Sequence, residues 1–295
     1  MKNTLVNPHY QGSPTHLEPA LYIVATPIGN LGDLSRRALE VLATAAVIAA
    51  EDTRRTGQLL SVEGIHTRML AYHEHSATQV ADQLVERVAA GEAVALVSDA
   101  GTPTISDPGY RLVRAMQDAG HKVVPIPGPC AAIAALSAAG LPSDRFAFEG
   151  FLPNRQEART RRLEALAQSQ ATLIFYEAPH RLEATLADMQ RVTGPAREAA
   201  IARELSKTFE TIRRGPLAEL AEWVRGDHNQ SRGEIVLLLS PAPDESASDV
   251  DPALGDLLVA MAEHMPARRA AKLLAAYSGL RSRQLYDYLL TRRGD

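Results

Sequence analysis

Val94-Ala95-Leu96-Val97-Ser98-Asp99-Ala100-Gly101-Thr102-Pro103-Thr104-Ile105-Ser106-Asp107-Pro108-Gly109 is the stretch that decides the fold. Its first four residues are apolar and read as a buried strand. The twelve that follow hold two Gly, two Pro, two Ser, two Thr and two Asp. A helix from about Tyr110 to Gly120 comes next. A strand that passes through a loop into a helix is half of a βαβ unit, and α/β proteins bind ligands at the carboxyl ends of such strands. Glycine lets the backbone approach a ligand closely, and proline stiffens the loop. The hydroxyls grip polar groups, and Asp offers a carboxylate to an ammonium or a ribose. A structural turn can be equally rich in Gly and Pro, but loops of this length usually carry function. The loop has no Lys and no G-K-[ST], which excludes a nucleotide P-loop.

The same alternation extends to either side. Leu21 to Ala25 reads as a strand that feeds Ala25-Thr26-Pro27-Ile28-Gly29-Asn30-Leu31. Asp33 or Ser35 is expected to cap a helix through about Ala43. Ala46 to Ala50 is a second buried strand, and Ser76 caps a helix that ends at Gly91. Val123 to Ile126 is a strand that ends in Pro127-Gly128-Pro129-Cys130-Ala131-Ala132, from which an Ala-rich helix runs to Gly140. This pattern predicts a mostly parallel sheet covered by helices. The Pro-Gly-Pro turn lies beside the long loop if their strands are neighbours. A dinucleotide oxidoreductase is excluded because the G-x-G-x-x-G fingerprint is missing. Cys130 is a thiol at a helix start among alanines. With no His nearby in sequence, it reads as a small packing residue before it reads as a nucleophile.

The second half has a different texture. Strands are expected at Phe146 to Phe151, Thr172 to Tyr176, Ala199 to Arg203, Thr208 to Arg213 and Glu234 to Leu239. Helices are expected at about Glu157 to Ala167, Leu182 to Arg191 and Leu217 to Val224. A tight connection inside 197–214 makes this sheet mixed. Phe175-Tyr176-Glu177-Ala178-Pro179-His180-Arg181 and Arg203-Glu204-Leu205-Ser206-Lys207-Thr208-Phe209-Glu210 place basic residues beside Glu at strand ends. They are either surface ion pairs, which stabilise little, or the rim of a polar cleft for phosphate and ribose. The organisation expected is a disordered tail over 1–19, α/β domains over 20–141 and 142–241, a linker over 242–251 and a helical extension over 252–295.

Bulk properties narrow the classes. With 295 residues, 45% of them hydrophobic, the chain can build two cores. A net charge of −4 excludes a general polycation, so any nucleic acid must meet local basic patches. The single cysteine excludes an internal disulfide and fits a reducing, cytoplasmic setting. The apolar stretch Val41 to Ala50 is too short for a bilayer, which needs roughly 20 residues. The first twenty residues lack the apolar run of a signal peptide. No metal-ligand set is expected.

Six segments, taken together and in order, carry a family resemblance. They are Ala25 to Ser35, Glu51 to Thr56, Ser98 to Gly109, Pro127 to Ala132, Phe175 to Arg181 and Arg203 to Glu210. The chain resembles the tetrapyrrole methylase superfamily over about Ala20 to Ser240. More closely, it is similar to the branch that methylates a cytidine 2′-hydroxyl in 16S ribosomal RNA of the small subunit. That branch usually has Gly where Ala25 stands and Thr where Ser206 stands; Ser206 keeps the hydroxyl. The resemblance implies an α/β architecture of two domains with S-adenosylmethionine in the cleft between them, a helical C-terminal extension, and a homodimer. It implies donor contacts from Pro27 and Ile28, from Asp99, Gly101, Thr102, Pro103, Ile105 and Ser106, from Cys130 and Ala131, and from Tyr176 and Ala202.

Methyl transfer from a sulfonium mainly requires alignment of hydroxyl, methyl and sulfur. A ribose hydroxyl is a weak nucleophile, so a general base helps by about 10²–10⁴-fold. Glu177 is the first candidate for that base and Asp99 the second; either can instead bind donor or ribose. Arg54, Arg55, Arg181, Arg203 and Lys207 are the candidate RNA contacts, with Arg268, Arg269, Lys272, Arg281 and Arg283 in the tail. Two rivals stay open: a methylase of the same fold acting on a tetrapyrrole or other small molecule, and an RNA-binding assembly protein without catalysis. The latter has no donor site.

Overall fold

The computed structural model describes residues 16–73, 77–243 and 250–293. Residues 1–241 form one compact unit and 242–295 another.

The first half of the larger unit alternates strand and helix: β1 (Ala20–Val24), α1 (Arg36–Thr44), β2 (Val47–Ala50), α2 (Thr53–Val62), β3 (Met69–Ala71), α3 (Ala77–Ala89), β4 (Ala93–Val97), α4 (Tyr110–Asp118), β5 (Val123–Ile126) and α5 (Ala131–Ala138). The sheet order is β3-β2-β4-β1-β5, with every pair parallel. Strands buried on both faces explain why β2 and β4 read as unbroken apolar runs. Ser35, not Asp33, caps α1, accepting the Ala38 N–H at 3.1 Å. The Ser76 cap lies outside the described residues. β4 and β5 are not neighbours, because β1 runs between them. Leu17 is buried in the core beneath β1.

The second half runs β6 (Phe146–Phe151), α6 (Gln156–Leu166), β7 (Thr172–Glu177), α7 (Leu182–Thr193), β8 (Glu198–Arg203), β9 (Thr211–Pro216), α8 (Leu217–Gly226) and β10 (Ile235–Leu239). The order is β6-β7-β10-β8-β9; β6 and β7 are parallel and the other pairs antiparallel. β9 begins at Thr211, three residues later than the apolar pattern suggests. The intervening residues are folded into a turn in which the Lys207 N–H reaches Glu204 O at 3.0 Å and the Ser206 N–H reaches the Glu210 carboxylate at 2.6 Å. One face of this sheet packs on α6, α7 and α8. Between α6 and α7, the buried Arg159–Asp188 pair at 2.7 Å is closed by Gln156 and Arg191.

The other face of the second sheet receives α5 from the first half. Ala132, Ala135, Leu136 and Ala139 pack on Ile174, Ala200, Ala202, Val236 and Leu238. Small side chains let the helix lie close to the strands. The segment read as a linker joins this packing through buried Leu141, and Pro142 O accepts the Thr172 hydroxyl at 2.6 Å. This shared core makes the two halves one compact unit and fixes the cleft between them.

In the smaller unit, α9 (Pro252–His264), α10 (Ala267–Ser278) and α11 (Ser282–Arg293) close around Leu258, Ala270, Ala271, Leu274, Leu285 and Leu289. Asp251 caps α9 through the Ala253 N–H at 2.8 Å, and Gly279 ends α10 in the left-handed region. No helix among the described residues is long and apolar enough to cross a membrane.

Candidate active site

Three loops at the carboxyl ends of β1, β4 and β5 converge, as expected for a parallel sheet. Thr26 and Gly101 exchange backbone hydrogen bonds of 2.9 and 3.0 Å, which join the first loop to the second. The Thr102 hydroxyl donates to Pro129 O at 2.9 Å, so the Pro-Gly-Pro turn meets the long loop although β1 separates their strands. Gly128 makes this possible: a Cβ there would fall 2.8 Å from the Ala25 Cβ.

The backbone at these loops is strained. Among the described residues, the non-glycine residues with positive φ are Thr104 (76°), Ser106 (66°), Glu204 (50°) and Ser206 (66°). Each left-handed residue costs roughly 1–2 kcal/mol, and such strain concentrates at functional sites. The two loops face each other across the halves. The Ser206 hydroxyl donates to the Asp33 carboxylate, and Gly150 of β6 lies against Ser106, where a Cβ would sit 3.4 Å from Oγ.

Between them is a cavity of about 390 Å³, inside the roughly 300–1,000 Å³ range of small-molecule sites. One wall is Ile28, Gly101, Thr102, Ile105, Cys130 and Ala131; the other is Phe151, Tyr176, Glu177, Leu205, Gly233 and Val236. Ser106, Asp107 and Glu234 also line it. Tyr176 spans both halves: its hydroxyl accepts the Ala132 N–H at 3.3 Å, and Phe148 and Phe151 stand edge-on at 4.9 and 5.7 Å. Burial, with Cys130 beside it, holds the Tyr176 phenol above its ordinary range. Gly101 sits at φ 83°, where a Cβ would point at Ile28 Cγ2, 3.4 Å away, and at Pro129 O, 3.7 Å away.

A second cavity of about 520 Å³ shares Ser106 and Asp107 with the first. Its other walls are Glu51, Tyr72, His73, Pro108, Gly109, Tyr110 and Arg111. Burial pushes the Asp107 carboxyl up to about 6; the nearby charges of Glu51 and Asp99 add to the shift and the Ser98 hydroxyl opposes it.

The residues read from sequence as donor contacts divide into two groups. Ile28, Gly101, Thr102, Ile105, Ser106, Cys130, Ala131 and Tyr176 line the first cavity. Pro27, Pro103, Asp99 and Ala202 do not; Ala202 is fully buried in β8, beside Val236 of the neighbouring strand β10. Of the two candidate bases, Asp99 accepts the Asp52 N–H at 3.0 Å and pairs with Arg55 at 3.0 Å, outside the cavity wall. Glu177 is on the wall, but both oxygens are engaged: Oε2 by the Thr185 hydroxyl at 2.6 Å, Oε1 by the Ala178 N–H at 2.8 Å and by Arg181 Nε at 3.3 Å. It holds the turn after β7 in place. Asp107 and Glu234 were not singled out. Asp107 belongs to the same Gly/Pro loop, but part of its surroundings, Glu51, comes from the end of β2, which local sequence does not reveal.

Arg54 and Arg55 are exposed at the start of α2. Arg181 and Arg203, expected to reach RNA, are turned inward instead. Arg181 donates to Leu152 O at 2.7 Å and to the Asn154 side chain; Arg203 donates to Phe209 O at 3.0 Å. Lys207 pairs with Glu204 at 2.9 Å and Glu234 at 3.2 Å; burial works against its charge, but these two carboxylates more than offset it and raise its pKa. Among the described residues, no cluster of three or more His, Cys, Asp or Glu is placed to hold a metal.

Comparison with known proteins gives these segments a context. Residues 20–221 match the model of the Tetrapyrrole (Corrin/Porphyrin) Methylases, and residues 248–293 match the RsmI C-terminal HTH domain. Ribosomal RNA small subunit methyltransferase I of Pseudomonas aeruginosa is 54% identical over 276 residues, covering 93% of this chain and 98% of the relative. The protein of the same name from Vibrio cholerae is 51% identical over 278 residues, 94% of this chain and 96% of the relative. Uroporphyrin-III C-methyl transferase from Thermus thermophilus, solved with S-adenyl homocysteine, has the same fold at a TM-score of 0.52. It is 18% identical, with 75% of this chain and 97% of that one covered.

Proposed function

The chain belongs to the tetrapyrrole methylase family, in its ribosomal RNA small subunit methyltransferase I branch, and we propose that it transfers a methyl group from S-adenosylmethionine to the ribose 2′-hydroxyl of a cytidine in 16S ribosomal RNA. The observation that carries this reading is the inter-half cavity, whose walls are the segments that mark the branch.

The cavity suits such a donor. Gly101 leaves open the space a Cβ would fill, and Ile28, Ala131 and Val236 offer apolar surface to an adenosine. The Glu177 and Glu234 carboxylates and the Tyr176 and Phe151 rings favour a cationic sulfonium and ammonium. When bound, S-adenosylmethionine supplies a methyl already activated by the sulfonium charge. The protein is left to align it with the acceptor, and well-oriented reactants gain roughly 7–11 kcal/mol from alignment. The rigid turns at Gly101 to Ser106, held by Thr26 and Pro129, set the donor's position. Tyr176, tied to α5 and flanked by two aromatic rings, closes the opposite wall and excludes water.

Exposed Arg54 and Arg55 stand three and four residues after Glu51, which lines the second cavity, and we read them as phosphate contacts at its edge. The basic residues of α10 and α11 are RNA contacts of the small helical unit. The enzyme works as a homodimer in the cytoplasm; the family resemblance and the lone cysteine support this reading.

Mass mapping of ribosomal RNA from cells with and without the protein tests the function. The expected result is one 2′-O-methylcytidine lost from 16S RNA and restored by the gene. Unchanged RNA methylation, together with methyl transfer to a corrin precursor, would refute it. Heat on titration with S-adenosylmethionine separates an enzyme from an assembly protein that lacks a donor site.

A further inference from the structure

We propose that the cavity lined by Glu51, Tyr72, Tyr110 and Arg111 seats the acceptor nucleotide, and that Asp107, on the wall it shares with the donor cavity, takes the proton from the 2′-hydroxyl. This rests on the function proposed above and assigns the acceptor site and the base within it.

Position is the first argument. Asp107 and Ser106 are the residues that line both cavities, so a group bound in each would meet across them. A transfer between two ligands needs such a shared wall, with the reacting atoms about 3–3.5 Å apart. Loop geometry is the second. Left-handed Thr104 and Ser106 bracket the segment before Asp107, and Gly109 at φ 143° is wedged where a Cβ would lie 2.9 Å from both Leu96 and Thr104. That backbone has little freedom, so the carboxylate is held on the wall.

The walls also fit a nucleotide. Tyr110 is 66% exposed at the start of α4 and offers a ring for stacking a base. Arg111 follows it, and the N-cap residue Gly109 has no side chain to occupy the first-turn N–H groups. A cation and free amides at a helix start suit a phosphate. The other carboxylates are less available: Glu177 and Asp99 each have both oxygens occupied by protein donors.

The chemistry balances. The 2′ O–H bond breaks and its proton passes to the Asp107 carboxylate. The oxygen lone pair forms the new C–O bond, and the electron pair of the breaking C–S bond stays on sulfur, leaving a neutral thioether. The proton then leaves Asp107 for water. A base must be ionised, so the rate should rise with pH through about 6, where burial, helped by the neighbouring charges, places this carboxyl. Glu51 and Asp99 act on it by charge and Ser98 by a hydrogen bond; the other titratable groups on the two linings are Tyr72, His73, Tyr110, Arg111, Cys130, Tyr176, Glu177 and Glu234.

Asp107→Asn and Tyr110→Ala test the assignment, with wild-type transfer to small subunits as the control for the function itself. No wild-type transfer would sink the proposed function and not this assignment. With active wild type, Asp107→Asn should bind S-adenosylmethionine within threefold by calorimetry, lose at least 100-fold in single-turnover rate, and lose the acidic limb of the pH profile. Tyr110→Ala should weaken subunit binding at least tenfold with donor binding intact, and wild-type Tyr110 should gain protection from hydroxyl radicals when the subunit binds. An Asp107→Asn rate within fivefold of wild type at saturating donor overturns the base assignment. Unprotected Tyr110 with unchanged Tyr110→Ala binding overturns the acceptor cavity.

Discussion

Replacing Glu177 by Gln should damage folding more than chemistry. Its side chain is fully buried, and that of Arg181 is 14% exposed. The carboxylate accepts from Thr185 at 2.6 Å and Ala178 at 2.8 Å. Gln keeps one acceptor oxygen, and the Thr185 hydroxyl can rotate to accept from the new amide. What cannot be replaced is the negative charge facing the Arg181 guanidinium. Breaking a buried pair costs about 3–5 kcal/mol when the remaining ion has nothing else. Arg181 still donates to Leu152, Pro153 and Asn154, so the expected loss is about 2–3 kcal/mol. At about 2–4 °C per kcal/mol for a unit of this size, the melting temperature falls by about 4–12 °C. Differential scanning calorimetry measures it, and transfer assays at a temperature where the variant is folded should retain at least a tenth of the wild-type rate. An unshifted melt combined with abolished turnover would refute the reasoning, since the carboxylate would then act on the reaction and not on the turn.

Gly101→Ala puts a methyl into left-handed backbone at the donor cavity; strain of about 1–2 kcal/mol and the lost space should weaken S-adenosylmethionine binding at least tenfold by calorimetry, and undiminished affinity would remove Gly101 from the site. Asp107 binds a proton more tightly folded, at about 6, than unfolded, at about 3.9, so the folded state loses stability as pH rises through that window. Asp107→Asn should therefore melt higher than wild type at pH 8, by about 1–2 kcal/mol after solvent screening, and equal to it at pH 4; a pH-independent difference would contradict this. Arg269→Glu with Lys272→Glu, both exposed on α10, should lower rRNA affinity and flatten its salt dependence by about one to two units of log–log slope in filter binding; an unaltered slope would place RNA elsewhere.

Much of the fold was legible because buried parallel strands announce themselves. Val94 to Val97, buried throughout, and Val123 to Ile126, at the sheet edge, are short apolar runs followed by Gly/Pro turns, and both are strands in the structure. α2 and β3 escaped notice for physical reasons. α2 opens with Thr-Arg-Arg-Thr-Gly and buries only Thr56 and Leu60, so it shows little apolar periodicity. β3 has three residues, too few for any period. The partnership of α5 with the second sheet was also hidden. Its helix is apolar all round although Ile133 is exposed, so no apolar stripe marks its buried face, and nothing in an Ala-rich segment says which sheet it will cover.

The site divides in a similar way, and three of its carboxylates show why. Asp99 and Asp107 lie in the polar loop after β4 and Glu177 ends β7 before another, and composition treats them alike. Hydrogen bonding separates them. Asp99 is claimed by α2, through the Asp52 N–H and Arg55, and Glu177 by α7, through Thr185; each partner lies on a different element from its carboxylate. Asp107 is left on a wall between two cavities, half-buried, with like charges from Glu51 and Asp99 close by. A carboxylate whose oxygens are filled by fixed donors has its charge stabilised in place and little reason to exchange a proton. One that is desolvated and faces other negative charges is driven toward taking one up. The assignment of the base therefore follows from which loops the fold brings together: Asp107 keeps one hydroxyl partner, Ser98, and, among the described residues, no cation, where Asp99 and Glu177 each have an arginine.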